Sequence, residues 1–137
     1  MTTQLKTVSY WIATSLLALA MLGSGVGDVL RAAPIVQSMQ HLGFPVSLMP
    51  FLGVLKILGA LTVLFVGREH LRVGAYAGFF FYSLGAVAVH LGAGDPLAAA
   101  LPALVFLVLT LASYGLWLAR RQQPQPALTL TPAMAGL

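Results

Sequence analysis

Leu48-Met49-Pro50-Phe51-Leu52-Gly53-Val54-Leu55-Lys56-Ile57-Leu58-Gly59-Ala60-Leu61-Thr62-Val63-Leu64-Phe65-Val66 decides the fold class of this chain. Lys56 is the single charge in that run. A helix rises about 1.5 Å per residue, so roughly 20 apolar residues cross a hydrocarbon core. Strands of a membrane barrel alternate in units of about 10 residues, whereas this run is continuous. Lipid offers the backbone no hydrogen-bond partners, which leaves a helix as the spanning structure.

Three similar runs lie outward from it, and together they predict spans at about 8–27, 48–66, 73–92 and 98–118. The first is longer than the ~7–15-residue apolar core of a secretory signal and reads as a span. Composition agrees: 59% of residues are hydrophobic, 7% are charged, and mean hydropathy is +0.93. Soluble domains carry about 25% charged residues, so these few charges cannot clothe a particle in water. The expected fold is all-α: an integral membrane four-helix bundle over residues 1–121, followed by a disordered cytoplasmic tail at 122–137 rich in Gln, Pro, Ala and Thr.

The connections set the expected orientation. Pro34 to Leu42 has a proline start, mixed polarity and a Gly43/Pro45 stop, which predicts a short interfacial helix between spans one and two. Gly67 to Arg72 is short and basic, and Ala93-Gly94-Asp95-Pro96 is a tight turn. Lys6, Arg68, Arg72, Arg120 and Arg121 fall on one side against Arg31 on the other. The positive-inside rule then places both termini in the cytoplasm. Tyr10, Trp11, Tyr114 and Trp117 fall at that same interface, as an aromatic belt does. The net charge of +4 comes from these topology signals rather than from a basic stripe, so no nucleic-acid partner is expected. The absence of cysteine excludes disulfides, thiolate metal sites and dithiol chemistry within the chain.

Polar groups inside the spans carry the functional reading. A lysine as deep as Lys56 costs at least about 2.5–3.5 kcal/mol on insertion scales unless paired or hydrated. Asp28 is the acid nearest its end of the bundle, Tyr82 and Ser83 come at similar depth, and Ser83, Ala86 and His90 share a helix face. These residues predict a polar pocket built from Asp28, Lys56, Tyr82, Ser83 and His90; a Lys56–Asp28 pair that only fixes helix register is the competing account. His90 reads as a hydrogen-bonded residue at a helix end or as a proton carrier, since histidine ordinarily titrates near 6.5. Asp95-Pro96 reads as the cap of the last helix. Gly74 and Gly78, with Gly53, Gly59 and Ala60, read as notches where helices approach closely. If a flat lipid such as a quinone binds, the Phe79-Phe80-Phe81-Tyr82 block beside Lys56 is its expected wall, Phe80 included. With three acids in all, and His41 and His70 on opposite sides, no metal site is expected.

Several short segments, in order, carry a family resemblance. They are Ser24-Gly25-Val26, His41-Leu42-Gly43-Phe44-Pro45, Leu52 to Ala60, Ala75 to Phe81, Gly85 to His90, and Gly94-Asp95-Pro96. Over roughly residues 8–118 the chain resembles the bacterial DoxX-like membrane proteins. The resemblance implies a four-helix bundle in the bacterial inner membrane. Relatives include a subunit of a thiosulfate:quinone oxidoreductase and membrane partners of redox enzymes, and more distant ones act as chaperones or cargo receptors. The first expectation is a quinone- or lipophile-binding membrane subunit, not catalytic on its own, with a redox partner protein or a homo-oligomer as its assembly. The alternative is a non-catalytic, chaperone-like assembly protein. A transporter ranks last, because only one charge marks the membrane interior.

Overall fold

The computed structural model describes residues 2–122. The chain forms α1 (Thr3–Val29), α2 (Ala33–His41), α3 (Met49–Phe65), α4 (Glu69–Gly92) and α5 (Leu97–Arg121), with a 3₁₀ turn at Val46–Leu48 leading into α3. No strand occurs among the described residues. Thr2 caps α1 by accepting from the Leu5 amide, and a proline opens both α2 and α3, where the missing amide hydrogen is no loss. The four expected spans are present as α1, α3 together with its leading 3₁₀ turn (Val46–Phe65), α4 and α5, each long and apolar enough to cross a membrane. The predicted short helix is α2, which buries no residue and lies outside the bundle. The tail expected from 122 onward lies, after Gln122, outside the described residues.

The long helices form a ring in the order α1–α3–α4–α5, closed by α5 against α1, and the α3–α4 seam is the loosest. Four antiparallel passes bring the start of α1 and the end of α5 together, with the Arg120 guanidinium 4.5 Å over the Tyr10 ring. We call this the terminal end and the opposite one, beside α2, the distal end. Leu17, Ala18 and Met21 of α1 meet Ala60 and Val63 of α3 and Tyr76 and Phe79 of α4 in the core. Large apolar side chains also cover the outside: Leu19, Phe65, Phe81 and Val108 are each more than 60% exposed. An exterior so widely apolar suits acyl chains and would drive aggregation in water.

Lipid supplies no hydrophobic drive for helix association, so close approach and polar contacts must provide it. Gly25 and Gly53 supply the first. A Cβ on Gly53 would lie 2.5 Å from the Gly25 carbonyl oxygen, and one on Gly25 would lie 2.8 Å from that of Gly53. The two backbones therefore touch, and only glycine fits at either point. Gly59 similarly receives the Phe79 ring. Gly74 and Gly78 depart from expectation: nothing lies within 4 Å of a Cβ at either, because they face the open α3–α4 groove rather than a partner helix. The polar contacts include a core triad in which Thr14 and Tyr76 each hydrogen-bond the Ser113 hydroxyl at 2.7 Å, joining α1, α4 and α5. The expected aromatic belt is also redistributed. Trp11 faces outward, but Tyr10 and Trp117 are buried and carry arginine guanidinium groups on their faces.

Replacing Gly53 with leucine should destabilise the bundle by about 2 kcal/mol or more, as overpacking a tight contact does. Gly78→Ala, where space is open, should move the melting curve by no more than about 0.5 kcal/mol. Thermal unfolding of both variants in detergent checks the contrast.

Candidate functional site

The Gly25–Gly53 contact places the charged pair. Asp28 and Lys56 each follow their glycine by three residues, close to one helical turn, so both project from the crossing. The Lys56 ammonium donates to Asp28 Oδ2 at 2.6 Å and to the Ser24 hydroxyl at 2.9 Å. Ser24 lies four residues before Asp28 and so shares its face of α1. The Tyr82 ring caps the ammonium from α4, 4.4 Å from Nζ to the ring centroid. Both charged side chains are 5% exposed. A buried ammonium of this kind is tolerable only with partners, and it has a carboxylate, a hydroxyl and a π-face.

Beside this pair is a pocket of about 370 Å³, within the ~300–1,000 Å³ range of small-molecule sites. Ile35 and Met39 of α2, with Leu42 just after it, form its roof, Leu52 and Phe81 stand in its walls, and Asp28, Tyr82 and His90 give it polarity. Lys56 touches two of those polar residues but itself lines an adjoining groove of about 390 Å³ along the α3–α4 seam. Leu52 and Tyr82 border both spaces.

The structure therefore brings Asp28, Lys56 and Tyr82 together and places His90 in the same pocket wall. Two expected members lie elsewhere. Ser83 turns into the bundle interior, fully buried, and its hydroxyl has no partner. Phe80 lines a separate groove of about 220 Å³ between α4 and α5, with Tyr76 and Tyr114. The cause is helical period: residues two apart differ by about 200°, so Phe80 cannot share the Tyr82 face. Phe81 takes the wall position instead.

Asp95 also departs from its reading as a cap. The start of α5 has no side-chain cap bond. The carboxylate instead accepts from His90 Nδ1 on one oxygen and from His41 Nε2 on the other, both at 2.7 Å. It thereby ties α2 to the end of α4. Hydrogen bonds from His90 first and His41 second hold its carboxyl below the ordinary 3.8. Gly94, at φ +77°, makes the left-handed turn that brings Asp95 back to these rings. Sequence reasoning missed this tie and the Ser24 contact. For Ser24, the four-residue spacing to Asp28 was the available signal. Among the described residues, no group of three or more His, Asp or Glu side chains is arranged to hold a metal ion.

Four apolar helices with an outward-facing apolar surface, a paired buried lysine and a roofed pocket define a multi-pass helical membrane protein. A model of the DoxX-like family matches residues 12–113, and the chain belongs to that family. Neither the curated proteins nor the solved structures contain a match to it.

Lys56→Met should cost about 3–5 kcal/mol, because it leaves the Asp28 carboxylate buried without a partner. The double variant Lys56→Met/Asp28→Asn should recover most of that loss, and a double-mutant cycle on thermal stability measures the coupling. A carboxyl with a depressed folded-state pKa stabilises fully above its unfolded value and stops doing so as pH falls through the folded one. The contribution of the Asp95 carboxyl itself should thus be present above its ordinary 3.8 and be lost as pH falls below it. Asp95→Asn should flatten that acid decline in melts recorded against pH.

Proposed function

We propose that this chain binds a lipophilic small molecule of the quinone class in the pocket beneath α2, as the membrane subunit of an oxidoreductase system. The observation that carries the reading is the pocket itself: apolar walls of a size to take one substituted ring, with Asp28, Tyr82 and His90 in its lining. The adjoining α3–α4 groove gives an apolar tail a course along the lipid-facing side, past Gly74 and Gly78. The chain has no cysteine and so no thiol redox chemistry of its own, and electrons would pass between the bound molecule and a partner protein or a bound cofactor. In the bacterial inner membrane, with the basic terminal end in the cytoplasm, the pocket would open in the outer half of the bilayer.

A second reading, an assembly protein that holds another helix, draws on the Gly74/Gly78 face, which no part of the described chain covers. Mass spectrometry of gently purified protein separates the two. A retained lipid-soluble ring compound supports the first reading, and a stoichiometric polypeptide supports the second. In nanodiscs, a short-tailed quinone couple should bind in the micromolar range. Gly85 lines the pocket with nothing within 4 Å of its Cβ position, so Gly85→Leu directs a side chain into the cavity. That variant should weaken binding at least tenfold while the melting temperature is kept; unchanged affinity would remove the pocket as the site.

A further inference from the structure

We propose that the pocket selects a neutral lipophile whose polar end donates hydrogen bonds, a phenol or hydroquinone in preference to its carbonyl or ether form, and that Asp95 imposes this choice by fixing the proton on His90. The inference rests on the pocket reading above and adds the chemistry of the occupant's head.

The argument begins with the carboxylate. An ionised carboxylate accepts hydrogen bonds and cannot donate them. Asp95 has an imidazole nitrogen 2.7 Å from each oxygen, so both rings must donate to it. The hydrogen bonds that hold Asp95 below its ordinary pKa keep it in this accepting form. His90 therefore carries its proton on Nδ1, and the neutral ring has its lone pair on Nε2. No group among the described residues bonds to Nε2, and the ring lines the pocket. His90 thus offers an occupant an acceptor.

Asp28 adds a second. One of its oxygens holds the Lys56 ammonium, and the carboxylate lines the same pocket. The ammonium is not a competing donor for the occupant. It is directed to Asp28 and Ser24, lies under the Tyr82 ring and is not in the pocket lining. Of the remaining polar side chains in the lining, Ser38 and Tyr82 carry hydroxyls that either donate or accept. Fixed acceptors therefore face the occupant and fixed donors do not.

This balance discriminates between head groups. A carboxylate-headed lipid would meet the Asp28 carboxylate, with no lysine or arginine in the lining to receive it. A cationic amine would find Asp28, the one carboxylate in the lining, already matched by the Lys56 ammonium. A carbonyl brings a third acceptor to a set of acceptors, whereas a hydroxyl satisfies them. Burying polar groups without partners is what penalises the wrong ligand, and sites built around directed hydrogen bonds discriminate strongly for that reason. Asp95 acts as a positioning residue. Through His41, next to the roof residue Leu42, it also holds α2 over the pocket.

The test compares three forms of one short-tailed benzoquinone skeleton in nanodiscs under anaerobic conditions: the hydroquinone, its dimethyl ether and the oxidised quinone. Isothermal titration calorimetry reads the affinities. The hydroquinone should bind at least tenfold more tightly than either of the others. His90→Phe, which keeps the ring's shape and removes its acceptor, should bring the three within about threefold of one another. Nitrogen-15 NMR of histidine-labelled wild-type protein should show His90 protonated on Nδ1, and this readout needs no ligand and no variant. Equal affinities for the three forms, tighter binding of an alkylammonium analogue, or an Nε2–H tautomer at His90 would each overturn the inference while the pocket stands as a binding site. A preference that survives in His90→Phe would overturn the role assigned to His90 and Asp95. Failure of all three forms to bind would overturn both this inference and the proposed function.

Discussion

Backbone contact between Gly25 and Gly53 is the constraint on which the rest of the molecule depends. In a hydrocarbon medium, apolar side chains gain nothing by leaving lipid for one another, so helices stay together where their surfaces approach closely and their polar groups meet. The crossing provides the approach and, one turn further on, presents an ammonium to a carboxylate at 2.6 Å. Neither feature stands without the other. Wider spacing would leave Lys56 short of Asp28, and an unpaired Lys56 would oppose insertion of α3. The pair therefore has a structural role whatever the pocket beside it binds.

From that crossing the polar groups fall into three levels. At the distal end, Asp95 joins the first and third connections through two histidines. In the middle, the Ser113 hydroxyl is shared by Thr14 and Tyr76. At the terminal end, Arg72 reaches the Tyr10 hydroxyl and the Val66 carbonyl, while Arg121 pairs with Glu69. Among the described residues, the Ser83 hydroxyl and the Arg72 Nε are the buried exceptions without a protein partner. The pocket lies between the first level and the Lys56–Asp28 pair, where α2 rather than another spanning helix supplies one wall.

How much of this was legible depended on whether the signal was local. Spans showed plainly, because twenty apolar residues in a row have one meaning in a bilayer. Pro34 and Gly43 marked α2 by the ordinary start and stop chemistry of a helix. Lys56 with Asp28 could be paired because one acid lay near enough in depth. Rotation about the helix axis was harder to read. The block Phe79 to Tyr82 places an aromatic at every angle, so period alone could not choose Phe81 over Phe80. Gly74 and Gly78 have the same spacing logic as a packing notch and yet face a groove. Asp95-Pro96 has the local form of a cap, while its true partners are His90 and His41, the latter 54 positions away. Contacts of that separation leave no pattern in a single sequence.

The distribution of contacts along the chain also bears on how the protein is made. The glycine crossing and the Lys56–Asp28–Ser24 cluster lie wholly within α1 and α3. That first hairpin can neutralise its own buried cation as soon as both helices have left the ribosome, with no help from the rest of the chain. The second hairpin, α4 and α5, then docks through Ser113 on Thr14, Arg72 on Tyr10, and Asp95 on His41. The contacts thereby divide into a first half that satisfies its own buried charge and a second half that completes the cavity.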